Sequence, residues 1–559
     1  MLRFLTALSL LFAPVPALAQ PDLPFIGSVS AADPRAEAAG MEILRAGGSA
    51  TDAAIAVMLA LTVVEPQSSG IGGGGFYVRG DAAGAVESLD GRETAPAGAT
   101  PDWFYENGTL PPFGQSVQSG LSVGVPGNIA LAAEAHRRHG RLPWARLFAP
   151  AIALADDGFA INRRLADYLV NLPDRAGAAD AARAIFYAAD GRPLPAGTQV
   201  RNPALAATLR RVAQGGAQAF YRGETAEAIA REVAAATPRE RPMTVADLAA
   251  YQAQPRDAVC GRYRGYRICG MGPPSSGGVA VIQMLGQLER FDLAASGVGN
   301  PLTWHLFAES QRLAYADREL YLADSDFVAV PVAGLIDPAY LAARSRLIRP
   351  DARLETVEAG RPTSAQARAD GDEPEENGTS HLAVVDAAGT MVSYTSTIEG
   401  PFGSGLMTGG FYLNNELTDF SRAPEQDGVP VANRVEGGKR PRSSMAPTVV
   451  WDPDGRPVMV VGAAGGSTIP VQTARAIIGV IDFGLSARQA LGLPFVMTRG
   501  NRLMIEEGSW LERAAPAFTA LGWEVSGTAP PLKGGAILRA DPVWEAARDP
   551  RLATELVIP

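Results

Sequence analysis

Cysteine, histidine and lysine are all scarce in this 559-residue chain. Cysteine occurs twice, at Cys260 and Cys269, with no histidine nearby, so a zinc site is not expected there. The four histidines are His136, His139, His305 and His381. No pair stands in H-E-x-x-H or another ligand spacing, so the sequence offers no catalytic metal centre. Lysine is confined to Lys439 and Lys533, a bias that a GC-rich genome is enough to explain. Net positive charge is lacking too. A formal charge of −10 and a pI near 5.2 argue against nucleic acid or an anionic membrane surface as the main partner. Beyond the N-terminus no segment has 18 uninterrupted apolar residues, so no membrane span is expected.

What is present begins with MLRFLTALSLLFAPVPALAQ. One basic residue, an apolar run and Ala17-Leu18-Ala19 read as a secretory signal peptide over residues 1–19. The mature chain is expected to start near Gln20 and to be periplasmic or secreted. With 47% hydrophobic and 19% charged residues, it has the composition of a globular protein with a large core. An oxidising compartment permits a disulfide. AVCGRYRGYRICGM reads as two short strands around Arg-Gly, which leaves Cys260 and Cys269 either bonded across a hairpin or as two free thiols.

Along the chain, DPRAEAAGMEILRAGG predicts a helix stopped by Gly47-Gly48. SATDAAIAVMLALTVVEP predicts a second helix, apolar around most of its surface and therefore buried. Residues 126–250 read as mainly helical, as do VAVIQMLGQLERF and TWHLFAESQRLAYADRELYLAD. A polar, acid- and proline-rich stretch over residues 360–378 has too few apolar residues to pack. LAVVDAAGTMVSYTST and PTVVWDPDGRPVMVVG then read as two hairpins, and TIPVQTARAIIGVIDFG and SWLERAAPAFTALG as helices. Sheets covered by helices in one compact unit fit this order better than tandem domains.

Two short motifs sit in the wrong context. Gly70, Gly72 and Gly75 satisfy G-x-G-x-x-G, but the loop follows a helix and opens a strand, the reverse of a dinucleotide site. Gly120, Ser122 and Gly124 satisfy G-x-S-x-G without a strand before or a helix directly after. His136 and His139 lie on a basic stretch and are expected to be solvated. Thr379, in EENGTSHLAVVD, is different. A threonine hydroxyl needs a base beside it, and an N-terminal threonine carries one in its own α-amine. A cut after Gly378 would create that amine, and glycine puts no side chain in the way of the attacking hydroxyl.

The segments VEPQSSGIGGGGF, RETAPA, PPSSGG, YADRELYLAD, GTSHLAVVD, TSTIEGPFGSG, LNNELTDFS, GKRPRSSMAPT and GAAGGS, in this order, resemble the γ-glutamyltransferase family from about residue 27 to the C-terminus. The resemblance implies an α+β fold, the four-layer αββα sandwich of N-terminal-nucleophile hydrolases. It also implies a precursor that cuts itself into a large subunit, residues 20–378 with a flexible acidic tail, and a catalytic small subunit, residues 379–559. The two stay paired as a heterodimer forming one compact unit.

Carried over, Thr379 is the nucleophile, with the cleavage site at Gly378–Thr379, and Thr397 hydrogen-bonds its hydroxyl. Arg92, Ser443 and Ser444 hold the donor's α-carboxylate. Glu399, Glu416 and Asp419 face its α-ammonium group. Gly465 and Gly466 supply oxyanion-hole N–H groups. The chemistry agrees: an amino-acid zwitterion calls for a planar cation on one side and fixed anions on the other. Glycines ahead of a helix N-terminus aim N–H groups at a developing oxyanion. The stretch from Asp419 to Ser443 stands in the place of a lid and has no aromatic residue after Phe420.

The expected activity is γ-glutamyl transfer or hydrolysis. Glutathione and related γ-glutamyl amides are the donors, and water, amino acids or peptides the acceptors, with no metal or organic cofactor. One rival is a glutaryl- or cephalosporin-type acylase of the same fold, for which Asp419 would have no use. Another is an unprocessed binding protein, which would stay in one piece.

Overall fold

The computed structural model describes residues 25–366, 368–371, 378–529 and 532–552. The expected signal peptide over residues 1–19 and residues 367 and 372–377 of the polar stretch lie outside these. Two six-stranded sheets organise the described chain. The first runs Gly27–Ala31, Ser380–Asp386, Met391–Thr397, Gly74–Gly80, Val86–Gly91, Gln254–Arg256. The second runs Val543–Arg548, Gly535–Ala540, Pro457–Gly462, Thr448–Trp451, Tyr266–Gly270, Val259–Tyr263. Every pairing in both is antiparallel. Each sheet interleaves strands from before and after residue 378, so ladders of hydrogen bonds, not the peptide link alone, hold the two portions together.

Alternation of side chains along the strands builds two cores. Phe76, Val78, Ala383, Val385 and Met391 of the first sheet meet Ile268, Val449, Val461 and Ile537 of the second. The intervening residues Tyr77, Leu382, Val384, Val392 and Tyr394 point the other way, onto the helices before residue 235. With both faces covered, strands Ser380–Asp386 and Met391–Thr397 are buried at every position. Helix Ala50–Val64 is buried at all its residues, as its all-round apolar character predicts. Ser49 and Asp52 cap it reciprocally, at 3.1 and 3.0 Å. Helices Gly277–Leu288, Pro301–Tyr321 and Ile469–Ile481 contribute to the core shared with the second sheet. No helix among the described residues is long and apolar enough to cross a membrane.

Cys260 and Cys269 are bonded, which decides between the two readings. They stand opposite each other in register, across a two-residue turn at Arg264 and Gly265 with φ of 52° and 83°. Other expectations need correction. The polar stretch does pack at its start: Gly360 N–H donates to Asp317 at 2.7 Å, its carbonyl accepts from Tyr321 at 2.7 Å, and Pro362 is buried. Burial partners on the long helix override composition there. His136 bonds the Leu142 carbonyl at 2.8 Å with its ring against Trp144, and His139 pairs with Glu87, so neither is simply solvated. Of the last expected helix, only Ala515–Ala520 is α-helical, after a 3₁₀ turn.

Candidate active site

Thr379 enters the strand Ser380–Asp386, and register alone brings it to Thr397. Ser380 pairs with Ser396 on the neighbouring strand, so the residues one step outward face each other. Thr379 Oγ1 donates to Thr397 Oγ1 at 3.1 Å. Thr397 Oγ1 also accepts the Glu399 N–H at 2.8 Å, which fixes its rotamer from the far side. Thr379 is held by its main chain as well. Its N–H donates to the Ser68 carbonyl at 2.8 Å, and its own carbonyl accepts from Lys533 Nζ at 2.9 Å. A β-branched residue here carries φ of 108°, a sparsely populated conformation that costs on the order of 1–3 kcal/mol. Gly378 lies against the main chain of Glu399 and Gly400, where a Cβ would come 1.9 Å from the Glu399 carbonyl oxygen.

Glu399 joins this centre to a charged one. Its carboxylate lies with those of Glu416 and Asp419, one oxygen of each within 4.8 Å of the others. Glu416 and Asp419 belong to one 3₁₀ turn, where residues three apart eclipse, so both carboxylates leave on the same side. Arg92, 1% exposed, ion-pairs with both. It also donates to the Pro441 and Arg442 carbonyls at 3.2 and 3.0 Å, which aims the guanidinium. The charge of Arg318, like that of Arg92, acts on Asp419, so the three carboxylates face more than one guanidinium. Burial raises the Asp419 carboxyl above its ordinary value although Arg92 pulls it down.

Ser443 and Ser444 follow Arg442 directly. Ser443 is seated by the Pro-Pro-Ser-Ser loop: Ser276 donates to its carbonyl through N–H at 2.8 Å and Oγ at 2.7 Å. Ser444 Oγ accepts from Arg318 at 2.7 Å. Gly465 and Gly466, at φ of 124° and 57°, turn the chain from strand Pro457–Gly462 into the 3₁₀ turn ahead of helix Ile469–Ile481. Ala464 N–H donates to the Lys533 carbonyl at 3.1 Å, which ties that glycine turn to the residue holding Thr379.

The two misfit motifs have structural roles. A Cβ on Gly72 would lie 2.0 Å from the Tyr412 carbonyl, so this loop is glycine-rich for close packing. Ser122 is buried and donates to the carbonyls of Val117 and Ser119 at 2.7 and 2.8 Å. His381 is buried as well. Burial lowers it to about 3, and Nδ1 bonds Thr395 Oγ1 at 2.9 Å, so it is neutral. Sequence reasoning missed Ser68 and Lys533, which hold the main chain of Thr379, Glu65, which pairs with Lys533, Arg318, which holds Ser444, and Glu93, buried beside Arg92. Lysine's scarcity was the one available signal for Lys533, and Glu93 stands beside Arg92.

The Gamma-glutamyltranspeptidase family model matches residues 36–557. The chain is 38% identical over 483 residues to the glutathione hydrolase proenzyme of Bacillus subtilis strain 168, covering 84% of this chain and 80% of that protein. Among solved structures, the cephalosporin acylase from Bacillus halodurans is similar at a TM-score of 0.81 and 28% identity, over 97% of this chain and 98% of that one. The Helicobacter pylori gamma-glutamyltranspeptidase is similar at a TM-score of 0.58 and 35% identity, over 63% of this chain and 99% of that one. With a hydroxyl pair at a strand start, an arginine set among carboxylates beside it, and a family match running almost end to end, this chain belongs to the gamma-glutamyltranspeptidase family.

Proposed function

We propose that the chain is an exported precursor that cuts itself between Gly378 and Thr379 and then acts as a γ-glutamyltransferase and glutathione hydrolase. The observation that carries this reading is the Thr379–Thr397 hydroxyl pair, joined through Glu399 to the Arg92, Glu416 and Asp419 cluster. In the first event Thr379 Oγ attacks the Gly378 carbonyl. The acyl group moves from nitrogen to oxygen, and water hydrolyses the ester to leave a carboxylate on Gly378 and a free amine on Thr379. In turnover that amine takes the hydroxyl proton as Oγ attacks the donor's γ-carbonyl. The departing amine receives the proton, and water or an amino-acid amine then takes the γ-glutamyl group from the ester.

Arg92 and the Ser443–Ser444 pair bind the donor's α-carboxylate, and Glu399, Glu416 and Asp419 its α-ammonium. The donor displaces the Arg92 ion pairs and substitutes its own two charges for them. The N–H groups at Gly465 and Gly466 receive the oxyanion, a type of contact worth about 10²–10³ in rate. Residues 20–378 and 379–559 form the large and small subunits, interleaved within a four-layer αββα sandwich. The match of a whole Helicobacter pylori chain to 63% of this one favours such a division. The signal-like N-terminus and the Cys260–Cys269 bond favour a periplasmic or secreted location.

A glutaryl-accepting acylase is the second reading, favoured by the likeness to the Bacillus halodurans cephalosporin acylase. A glutaryl group has no α-ammonium for Glu399, Glu416 and Asp419 to face, which favours the γ-glutamyl donor. Denaturing electrophoresis should resolve two fragments of the wild type and one of Thr379→Ala. Hydrolysis of γ-glutamyl anilide should exceed that of glutaryl anilide. An uncut wild type or the opposite anilide preference would overturn the reading.

A further inference from the structure

Beneath Thr379 lies a buried ion pair that the transfer chemistry above does not use. Lys533 is 1% exposed and Glu65 is fully buried. Lys533 Nζ donates to the Thr379 carbonyl and to Ser380 Oγ, each at 2.9 Å, and forms a salt bridge with Glu65. Ser380 Oγ in turn donates to Glu65 Oε2 at 2.6 Å. Glu65 is the residue just past helix Ala50–Val64, and Lys533 precedes strand Gly535–Ala540. The pair therefore clamps the start of the Thr379 strand between two otherwise separate layers.

We propose that Lys533 and Glu65 are positioning residues for the nucleophile: they seat the main chain of Thr379 and set the basicity of its α-amine. The proposal rests on the reading of Thr379 as a self-liberated N-terminus. A new chain terminus frays unless it is tied down, and Thr379 has no peptide bond before it once cut. Its carbonyl stays anchored by Lys533, so Oγ keeps its place opposite Thr397.

The charge has a second effect. Covalent geometry keeps the nitrogen of Thr379 close to its own carbonyl oxygen, and hence close to Nζ. A cation there disfavours the ammonium form, and the Glu65 carboxylate opposes this. Other charged or titratable groups around this amine are Arg164, which acts on Glu65, Glu399, whose carbonyl abuts Gly378, and His381, which is neutral. Burial works to raise the Glu65 carboxyl, but Lys533 and Arg164 outweigh it and hold Glu65 ionised.

The test uses the full-length chain with Lys533→Gln, Lys533→Arg and Glu65→Gln, scored for self-cleavage and for pH profiles on γ-glutamyl anilide. Displacing the nucleophile should lower kcat of Lys533→Gln about 10²-fold, with KM within about twofold because the donor site is untouched. Lys533→Arg should recover most of the loss. The acid limb of kcat should move to higher pH in Lys533→Gln and to lower pH in Glu65→Gln. If Lys533→Gln is folded by circular dichroism but stays uncut, and Lys533→Arg is cut, the clamp already acts in cleavage. Limbs that stay in place or move together would overturn the proposal, as would wild-type kcat in Lys533→Gln. So would a Lys533→Gln chain that is merely unfolded and gains nothing from arginine, which assigns the pair to the core alone. A wild type that is not cut would defeat the parent reading instead.

Discussion

Thr379 and Thr397 face each other from neighbouring antiparallel strands with their hydroxyl oxygens 3.1 Å apart. Thr397 is braced from behind by the Glu399 N–H. The proposed nucleophile is thus oriented by a residue whose own rotamer is locked by backbone. Removing that hydroxyl while keeping the shape isolates its contribution. Thr397→Val should lower kcat on γ-glutamyl anilide by about 10²-fold and slow self-cleavage, while Thr397→Ser restores most of both. A Thr397→Val enzyme as fast as wild type would remove the bond from the mechanism.

Gly378 offers a steric test. A methyl group there would meet the Glu399 carbonyl oxygen at 1.9 Å and its carbon at 2.8 Å, both backbone atoms that have little freedom to yield. Gly378→Ala must shift either the proposed cleavage bond or the Glu399 turn that anchors Thr397. The uncut chain should accumulate in a cleavage time course followed by denaturing electrophoresis, with the fold retained by circular dichroism. Cleavage at the wild-type rate would mean that the Gly378 contact does not set the geometry of attack.

The local parts of this centre were legible in the sequence because short-range chemistry fixes them. Alternation gave the hairpin around Asp386–Gly389, and an abrupt strand start after glycine drew attention to Thr379. The Glu416–Asp419 turn needs only a spacing of three. What stayed hidden depends on contacts between distant segments: Glu65 reaches Ser380 across a separation of 315 residues, and no periodicity encodes that. Composition misled at Gly360, where Asp317 and Tyr321 of the long helix supply the partners that a polar stretch lacks by itself. The cysteine pair stayed open until register placed the sulfurs opposite each other.

Glu93 makes stability depend on pH. It is fully buried, with no side-chain hydrogen-bond donor to it among the described residues but with the Arg92 charge nearby. Burial pushes its carboxyl up to about 8 against the pull of Arg92. The folded chain therefore keeps this proton where the unfolded chain, with a carboxyl near 4.5, has released it. On this group's account stability is fully present at acid pH and is lost as pH rises from about 4.5 to about 8, by on the order of a few kcal/mol. Glu93→Gln cannot ionise. In the uncut Thr379→Ala background, urea unfolding at about pH 5 and about pH 8 should show the Gln variant losing less stability than its parent between the two conditions. Equal losses would refute a buried neutral Glu93.

The donor-binding role proposed for Arg92 can be separated from its role in the fold. Its guanidinium compensates Glu416, which is fully buried. Arg92→Gln strands that carboxylate, at a cost of about 3–5 kcal/mol, and also removes the fork for the donor's α-carboxylate. Adding Glu416→Gln takes away the stranded charge. The double variant should regain most of the lost unfolding free energy, yet its KM for γ-glutamyl anilide should stay far above the wild type's. Arg92→Lys keeps a point charge without the planar fork, so it should fall between the two in KM while remaining stable. If the double variant regained donor affinity together with stability, Arg92 would be a structural ion-pair partner and the α-carboxylate would have to be held elsewhere.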